Sequence, residues 1–180
     1  MSKRANIVAE IVDNLRRVFQ VVNEQSKKAE HETGLTGPQL WAIKTIAQES
    51  PIMVSEIARR MYLHPATVVG ILDRLEKQGL VLRVRSTEDR RVVKVELTRQ
   101  GRALVKKAPE VSQGLLVSGL EKIGTNKLKN ISEGLDQMVD ILGAQNIPPQ
   151  LILSPEVNRP SKQKTVAAVK KAQEKRPLRS

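Results

Sequence analysis

The chain has 180 residues, with 31 lysines and arginines against 19 acidic residues, a formal net charge of +12. This length suffices for one domain with its own core plus a tail, and the lack of cysteine excludes disulfides, cysteine-based zinc sites and thiol redox sensing in this chain. Because only 2% of the residues are aromatic, the core must be built from Leu, Ile, Val and Ala, which favours helices.

Hydrophobic residues at helical spacing predict three helices in the first third of the chain. The first covers residues 5–32 and carries a single apolar stripe, which some other surface must cover. Thr36 and Gln39 fit a capping box at the start of the second helix, which ends at Ser50. A short third helix is predicted over residues 55–61.

A fourth helix is predicted from Pro65 to Gln78, with Gly79 as its C-terminal stop. Its inward residues are Val68, Ile71, Leu72 and Leu75. Two strands follow, at residues 80–85 and 92–97, and the segment that joins them is polar and charged. A helix followed by such a hairpin predicts a winged helix within a mainly α fold, with a small wing of two to three strands.

Two further helices are predicted after the hairpin. The fifth starts at Thr98, bends near Pro109 and continues to Leu120, and the sixth follows Gly124. Apolar residues of the sixth helix recur in three- and four-residue steps, as in a helix that packs on a partner helix: Leu128, Ile131, Leu135, Met138 and Leu142. Residues 146–180 are rich in proline and basic residues and predict a flexible tail without a core.

The surplus positive charge is concentrated in two segments. Residues 81–107 hold nine basic and three acidic residues, and residues 146–180 hold eight basic and two acidic ones. Each segment therefore carries +6, and the rest of the chain sums to zero. Localised positive charge is what a surface that binds nucleic-acid phosphates requires. The winged helix is therefore predicted to bind double-stranded DNA.

Three motifs follow one another at a specific spacing: DRLEKQGLV at residues 73–81, DRR at 89–91 and ELTRQGRAL at 96–104. Through these motifs the chain resembles the MarR family of bacterial transcription regulators, over roughly residues 5–143. The resemblance implies a homodimer, a fourth helix that reads the major groove, a wing that enters the minor groove, and release from DNA when a small ligand binds.

The same resemblance implies a division of the chain. A MarR-like domain would cover residues 1–145, with a winged helix-turn-helix at about 36–98. Dimerisation helices would flank it at about 5–32 and 110–143. The basic tail at 146–180 would lie outside this domain.

Ten residues are predicted to contact DNA. Seven lie at the start of the fourth helix or on its outward face: His64, Pro65, Ala66, Thr67, Val69, Gly70 and Arg74. Three lie at the tip of the wing: Asp89, Arg90 and Arg91. In a major groove Thr67 can hydrogen-bond a base edge, while Ala66 and Val69 can touch thymine methyl groups. His64 and Arg74 are placed to reach phosphates.

Two of these positions depend on the comparison with the family. Arg90 resembles the arginine that enters the narrow minor groove, and Asp89 would orient it. Family members often carry a polar or basic side chain where this chain has Gly70. The glycine instead permits close approach of the helix backbone to DNA.

The first and sixth helices offer more apolar surface than one small winged helix can cover, which predicts a homodimer. Its contacts are assigned to Ile7, Ile11, Leu15, Leu135, Met138 and Leu142. The family resemblance implies a small effector, often aromatic and anionic, in a cavity between the first, second and fifth helices. Its contact residues are unknown; Trp41 and His31 are candidates, although Trp41 is first interpreted as a core residue.

We therefore expect a sequence-specific, dimeric transcription regulator, a repressor that a small ligand releases from a pseudo-palindromic operator. Its half-sites should lie one helical turn apart, roughly 34–36 Å. The alternative is an architectural DNA-binding protein without a ligand, whose basic tail dominates binding. An enzyme is disfavoured because no nucleophile with a base, metal-ligand cluster or glycine-rich phosphate loop is visible.

No catalytic residue, metal or cofactor is therefore predicted. No run of about 18 apolar residues and no signal-peptide core is visible either, so no membrane partner is expected. The predicted location is the cytoplasm of a bacterial or archaeal cell, in association with the nucleoid.

Overall fold

The computed structural model describes residues 2–85 and 92–151. The wing-tip residues Asp89, Arg90 and Arg91 lie outside these ranges, as does nearly all of the predicted tail. The described residues up to Glu121 form one compact unit, and residues 122–151 form a second.

The fold is mainly helical with one small antiparallel sheet. Its elements in chain order are α1 Lys3–Thr33, α2 Gly37–Gln48, β1 Ile52–Met53, α3 Val54–Arg60, α4 Pro65–Lys77, β2 Val81–Arg85, β3 Val93–Leu97, α5 Arg99–Lys107, α6 Ser112–Lys122 and α7 Thr125–Ile141. Of the helices within the described residues, none is long and apolar enough to cross a membrane.

The sheet has the strand order β1-β3-β2. Val81 lies opposite Leu97 and Arg83 opposite Val95, so β2 and β3 pair over their whole length. Both strands match their predicted positions to within one residue. On the far side of β3, Ile52 of β1 also pairs with Val95. With only two residues, β1 shows no alternation of its own, which is why the sequence did not locate this third strand.

The core of the first unit lies where α2, α3 and α4 meet the sheet. Its fully buried apolar side chains include Leu40, Ile43, Ile46, Ile57, Val68, Ile71, Leu72, Leu75 and Val95. All four predicted inward residues of α4 are among them. Since truncating a buried Leu or Ile to Ala typically costs about 2–5 kcal/mol, this set holds the outward face of α4 in a fixed orientation.

The prediction of one bent fifth helix is wrong, because the segment forms two separate helices. α5 ends at Lys107 and α6 begins at Ser112. Between them Ala108 is extended, with φ −74° and ψ 140°. The ring of Pro109 disfavours helical backbone at the preceding residue and provides no N–H, so the helix stops instead of bending.

The first turn of α5 is fixed against the end of α4. The Thr98 hydroxyl donates to the Gly79 carbonyl at 2.7 Å and accepts from the Gly101 N–H at 3.0 Å. At Gly101 an added Cβ would lie only 2.0 Å from the Leu80 carbonyl oxygen. A glycine is therefore required here to let α5 pack onto the start of β2.

Candidate DNA-binding surface and ligand cavity

α4 begins at the exposed turn of a helix-turn-helix. His64 is its N-cap, and the His64 Nδ1 accepts a hydrogen bond from the Ala66 N–H at 3.3 Å. Pro65 occupies the first turn, where its missing N–H leaves no intrahelical bond unmade. Ala66 is exposed as well, so the first turn of this helix presents small side chains to the outside.

The next turn of the outward face, from Thr67 to Gly70, carries no charge. Val69 is 41% exposed, and Thr67 and Gly70 are half-buried. An added Cβ at Gly70 would meet nothing within 4 Å, so packing inside the protein does not require a glycine there. Glycine costs about 1 kcal/mol relative to alanine inside a helix, and no packing contact offsets that cost at Gly70.

Arg83 joins the wing to α4 and is matched by two carboxylates. Its guanidinium donates to Asp73 at 2.6 Å and also to Glu76, both on α4. Burial acts against the charged guanidinium, but the hydrogen bond to Asp73 and the charge of Glu76 outweigh it, so the pKa of Arg83 is raised. The charge of this arginine is thus neutralised within the protein, and its role is to fix β2 against α4.

A cavity of about 450 Å³ lies between α2, α3 and α6. This volume is in the range of small-molecule sites. Trp41 and Tyr62 line it, two of the three aromatic residues in the sequence. Gly114 of α6 lets the indole approach, since a Cβ there would lie 3.2 Å from Trp41 Nε1. Trp41 is half-buried, so it forms part of the cavity wall and not of the core.

The cations of the cavity wall are paired with carboxylates. Lys44 Nζ lies 3.0 Å from Glu110. Arg59 and Arg60 both bond Glu56, and these hydrogen bonds lower the pKa of Glu56 from 4.5 to about 2. An anionic ligand therefore has to compete with these carboxylates for the wall's positive charge.

Tyr62 lies between the cavity and the start of α4. It lies in the turn between α3 and α4, with a left-handed φ of 51°, and its hydroxyl donates to the Glu121 carboxylate of α6 at 2.9 Å. This bond raises the pKa of Tyr62, because the neighbouring charge disfavours a phenolate. Tyr62 lies two residues before His64, the N-cap of α4.

The cavity differs in position from the one that the family resemblance implied. Residues of α3 line it where α1 was expected, and His31 on α1 is not among the lining residues. The C-terminal end of α1 instead packs against the α6 start, where the Ser112 hydroxyl lies 2.7 Å from Gln25 Oε1.

The remainder of α1 exposes apolar side chains. Ile7 and Ile11 are 50% and 42% exposed, and Leu15 is half-buried. In the second unit α7 has no buried residue, and Leu135 and Leu142 are exposed while Met138 is half-buried. Both helices therefore present apolar surface that the described residues leave in contact with solvent.

Comparison with known proteins identifies the family. The MarR family model matches residues 35–93. The organic hydroperoxide resistance transcriptional regulator of Bacillus subtilis is 30% identical over 125 residues, which are 69% of this chain and 84% of that protein. The chain belongs to the MarR family. The transcriptional repressor MdtR of Bacillus subtilis is 32% identical over 101 residues, 56% of this chain and 65% of the repressor.

A solved structure agrees with the fold. Streptococcus pneumoniae FabT, in a crystal structure with DNA, matches with a TM-score of 0.50 and 21% identity, over 76% of this chain and 97% of FabT. At this identity the likeness shows the fold alone.

Membership in the MarR family establishes the broad function. Its members are DNA-binding transcriptional regulators, and the relatives are named as regulators or repressors and not as enzymes. The predictions of the family, of the mainly helical winged-helix fold and of a non-enzymatic DNA-binding regulator are thus confirmed. The individual DNA, dimer and ligand contacts stay predictions.

Sequence reasoning missed three residues that organise this region. Arg83 was counted only in the positive charge of residues 81–107, and Tyr62 was given no role in a site. Glu121 was not singled out at all. Their partners lie 7, 10 and 59 positions away along the chain, so no local pattern could have paired them.

Proposed function

We propose that this MarR-family regulator is a repressor that binds a pseudo-palindromic operator as a homodimer and is released by a small aromatic anion. The observation that carries the proposal is the face of α4, where Ala66, Thr67 and Val69 point outward above fully buried residues. Small, uncharged side chains let a helix enter the major groove deeply.

Each predicted contact has a role in this complex. Thr67 hydrogen-bonds a base edge, Ala66 and Val69 touch thymine methyl groups, and the backbone at Gly70 approaches the bases. His64, Pro65 and Arg74 lie along the phosphates. At the wing tip, outside the described residues, Arg90 enters the minor groove with Asp89 and Arg91 beside it.

The homodimer is proposed from the exposed apolar side chains of α1 and α7. Ile7, Ile11 and Leu15 would pack against the partner, as would the α7 residues Leu135, Met138 and Leu142. Burying apolar surface stabilises by about 25 cal/mol per Å², so exposure of this many residues favours association. The two-fold axis then places two copies of α4 on two half-sites, with the regulator acting at the nucleoid.

The effector is proposed to occupy the cavity between α2, α3 and α6. Trp41 and Tyr62 offer ring faces, and Lys44, Arg59 and Arg60 offer positive charge once their carboxylate partners yield. An anion that displaces Glu121 would release the Tyr62 hydroxyl and so loosen the turn before α4. Such a ligand shifts the equilibrium only if it binds the DNA-free state more tightly than the bound state.

The proposal is tested with an operator selected from random duplexes by the full-length protein. Mobility shift should then show much tighter binding to this operator than to a scrambled duplex, and Thr67→Ala should reduce that preference. Equal affinity for both duplexes, or a stable monomer in sedimentation, would contradict it. Salicylate, used as the probe anion, should quench Trp41 fluorescence and weaken operator binding together.

A second candidate is a ligand-independent architectural protein, and the eight basic residues at 146–180 favour it. Removing residues 146–180 distinguishes the two. An architectural protein loses nearly all affinity without its tail, whereas a repressor keeps a specific footprint.

A further inference from the structure

The positive charge that the sequence assigns to the wing region lies mostly on α5. Within residues 81–107, the segment 86–91 contributes two basic and two acidic residues and so no net charge. β2 and β3 together carry +2, and one of their cations, Arg83, is bonded to Asp73 and Glu76 of α4. The remaining +4 belongs to the nine residues of α5, which include no acidic side chain.

The four cations of α5 are exposed and have no ion-pair partner among the described residues: Arg99, Arg102, Lys106 and Lys107. Elsewhere in the described ranges some cations are in ion pairs and others, such as Lys27 and Lys122, are not; the paired ones include Arg16, Lys28, Lys44, Arg59, Arg60, Arg83 and Lys129. Spacing of three and then four residues places Arg99, Arg102 and Lys106 in one stripe along the helix.

Two of these cations oppose the stability of their own helix. Arg99 and Arg102 lie in the first turn of α5, where the helix dipole favours anions and disfavours cations. Lys106 and Lys107 in the last turn are favourable by the same argument, so helix stability accounts for them. It does not account for the two arginines, which points to an anion outside the chain.

The stripe is rigidly attached to the DNA-binding helix. The Thr98 hydroxyl bonds the Gly79 carbonyl just after α4, and Gly101 packs on the Leu80 carbonyl at the start of β2. α5 therefore moves with α4 and the sheet as one body.

We propose that the α5 stripe, consisting of Arg99, Arg102 and Lys106, is a second phosphate-binding surface that contacts the DNA backbone without regard to base sequence. It adds phosphate contacts beside the C-terminal end of α4 and raises affinity for any duplex. The inference rests on the DNA binding of the family but not on the operator, the dimer or the effector proposed above. A polyanionic duplex fits a row of unpaired cations because each phosphate contact also releases a condensed counterion.

The test uses full-length protein with Arg99→Gln, Arg102→Gln and Lys106→Gln together. Affinity for a mixed-sequence duplex of about three helical turns is measured by fluorescence anisotropy between roughly 50 and 200 mM salt. The slope of log K against log salt should become shallower by about 0.9 for each lost contact, up to about 2.7 per protomer. The matched control, Lys122→Gln with Lys127→Gln and Lys129→Gln, removes the same charge from α6 and α7 and should leave the slope nearly unchanged.

An unchanged slope in the α5 variant, or an equal change in the control, would overturn the proposal. So would a loss confined to the selected operator, because that would mean base-specific contact. Thermal unfolding of the triple variant should show an unchanged or slightly raised Tm, because the positive charges of Arg99 and Arg102 are removed from the start of α5. If the triple variant does not fold, Arg102→Gln alone should still reduce the slope by about 0.9. If the wild type binds the operator and a scrambled duplex equally, the repressor proposal is refuted, and a shallower salt slope in the α5 variant still supports the α5 stripe.

Discussion

Replacing Gly70 by alanine separates what the fold needs at this position from what DNA binding needs. An added Cβ meets nothing within 4 Å, so no steric penalty offsets the gain in helix propensity. The free energy of unfolding should therefore rise by roughly 0.5–1 kcal/mol. In the proposed complex, the same methyl group would lie between α4 and the bases. It should weaken operator binding by roughly 1–3 kcal/mol, about five- to 140-fold in Kd.

Gly119→Ala in α6 is the matched control, because an added Cβ there also meets nothing within 4 Å. Urea unfolding, followed by the fluorescence of Trp41, gives the stability of both variants, and anisotropy with the labelled operator gives their affinities. Both should be more stable than the wild type, and only Gly70→Ala should lose affinity. Unchanged operator affinity in Gly70→Ala would refute the close approach of the backbone. Loss of stability in Gly70→Ala alone would refute the claim that a Cβ at this position meets no other atom of the protein.

Three further predictions concern packing and ionisation. Gly101→Ala should lower the free energy of unfolding by about 1–3 kcal/mol in urea titrations, because the new Cβ would lie 2.0 Å from the Leu80 carbonyl oxygen. At Gly134 an added Cβ meets nothing within 4 Å, so Gly134→Ala is the control, and equal stability of the two variants would contradict the prediction. Since the pKa of Glu56 is lowered to about 2, its ion pairs with Arg59 and Arg60 stabilise the fold above pH 4.5 and lose that effect as the pH falls towards 2. Between these pH values the urea midpoint should therefore fall more steeply in the wild type than in Glu56→Gln. Parallel curves of midpoint against pH would count against these ion pairs. Tyr62 is the single tyrosine, so its ionisation can be followed by ultraviolet absorbance. The titration midpoint of the wild type should exceed pH 10.0, and that of Glu121→Gln should be lower. An identical midpoint in both proteins would exclude the hydrogen bond between Tyr62 and Glu121 in solution.

Local patterns were enough to predict α4 and its buried face. Apolar residues at steps of three and four gave the inward face of α4, and Gly79, with φ +70°, ends the helix region as its position suggested. The strands β2 and β3 were predicted from their period of two. The break between α5 and α6 was predicted only as a bend, because a proline within a helical pattern is compatible with either a kink or a stop.

The candidate site was predicted less completely than the fold. Trp41 was assigned to the core because a large apolar residue on an apolar helix face is equally compatible with a core position and with a place in a cavity wall. Its place in a cavity wall depends on Gly114, which is 73 positions away in the sequence and brings α6 close to the indole. The link from Tyr62 to Glu121 has the same long-range origin.

The sequence by itself determined the helices, the wing, the family and the total charge, because each depends on residues close together along the chain. The tertiary structure alone decided how that charge is used. It matched Arg83 with two carboxylates of α4, and within residues 2–85 and 92–151 it left the cations of α5 without an ion-pair partner. The physical reason is that a charge acts through distance in space, and the fold determines which carboxylates come within hydrogen-bonding reach of each cation.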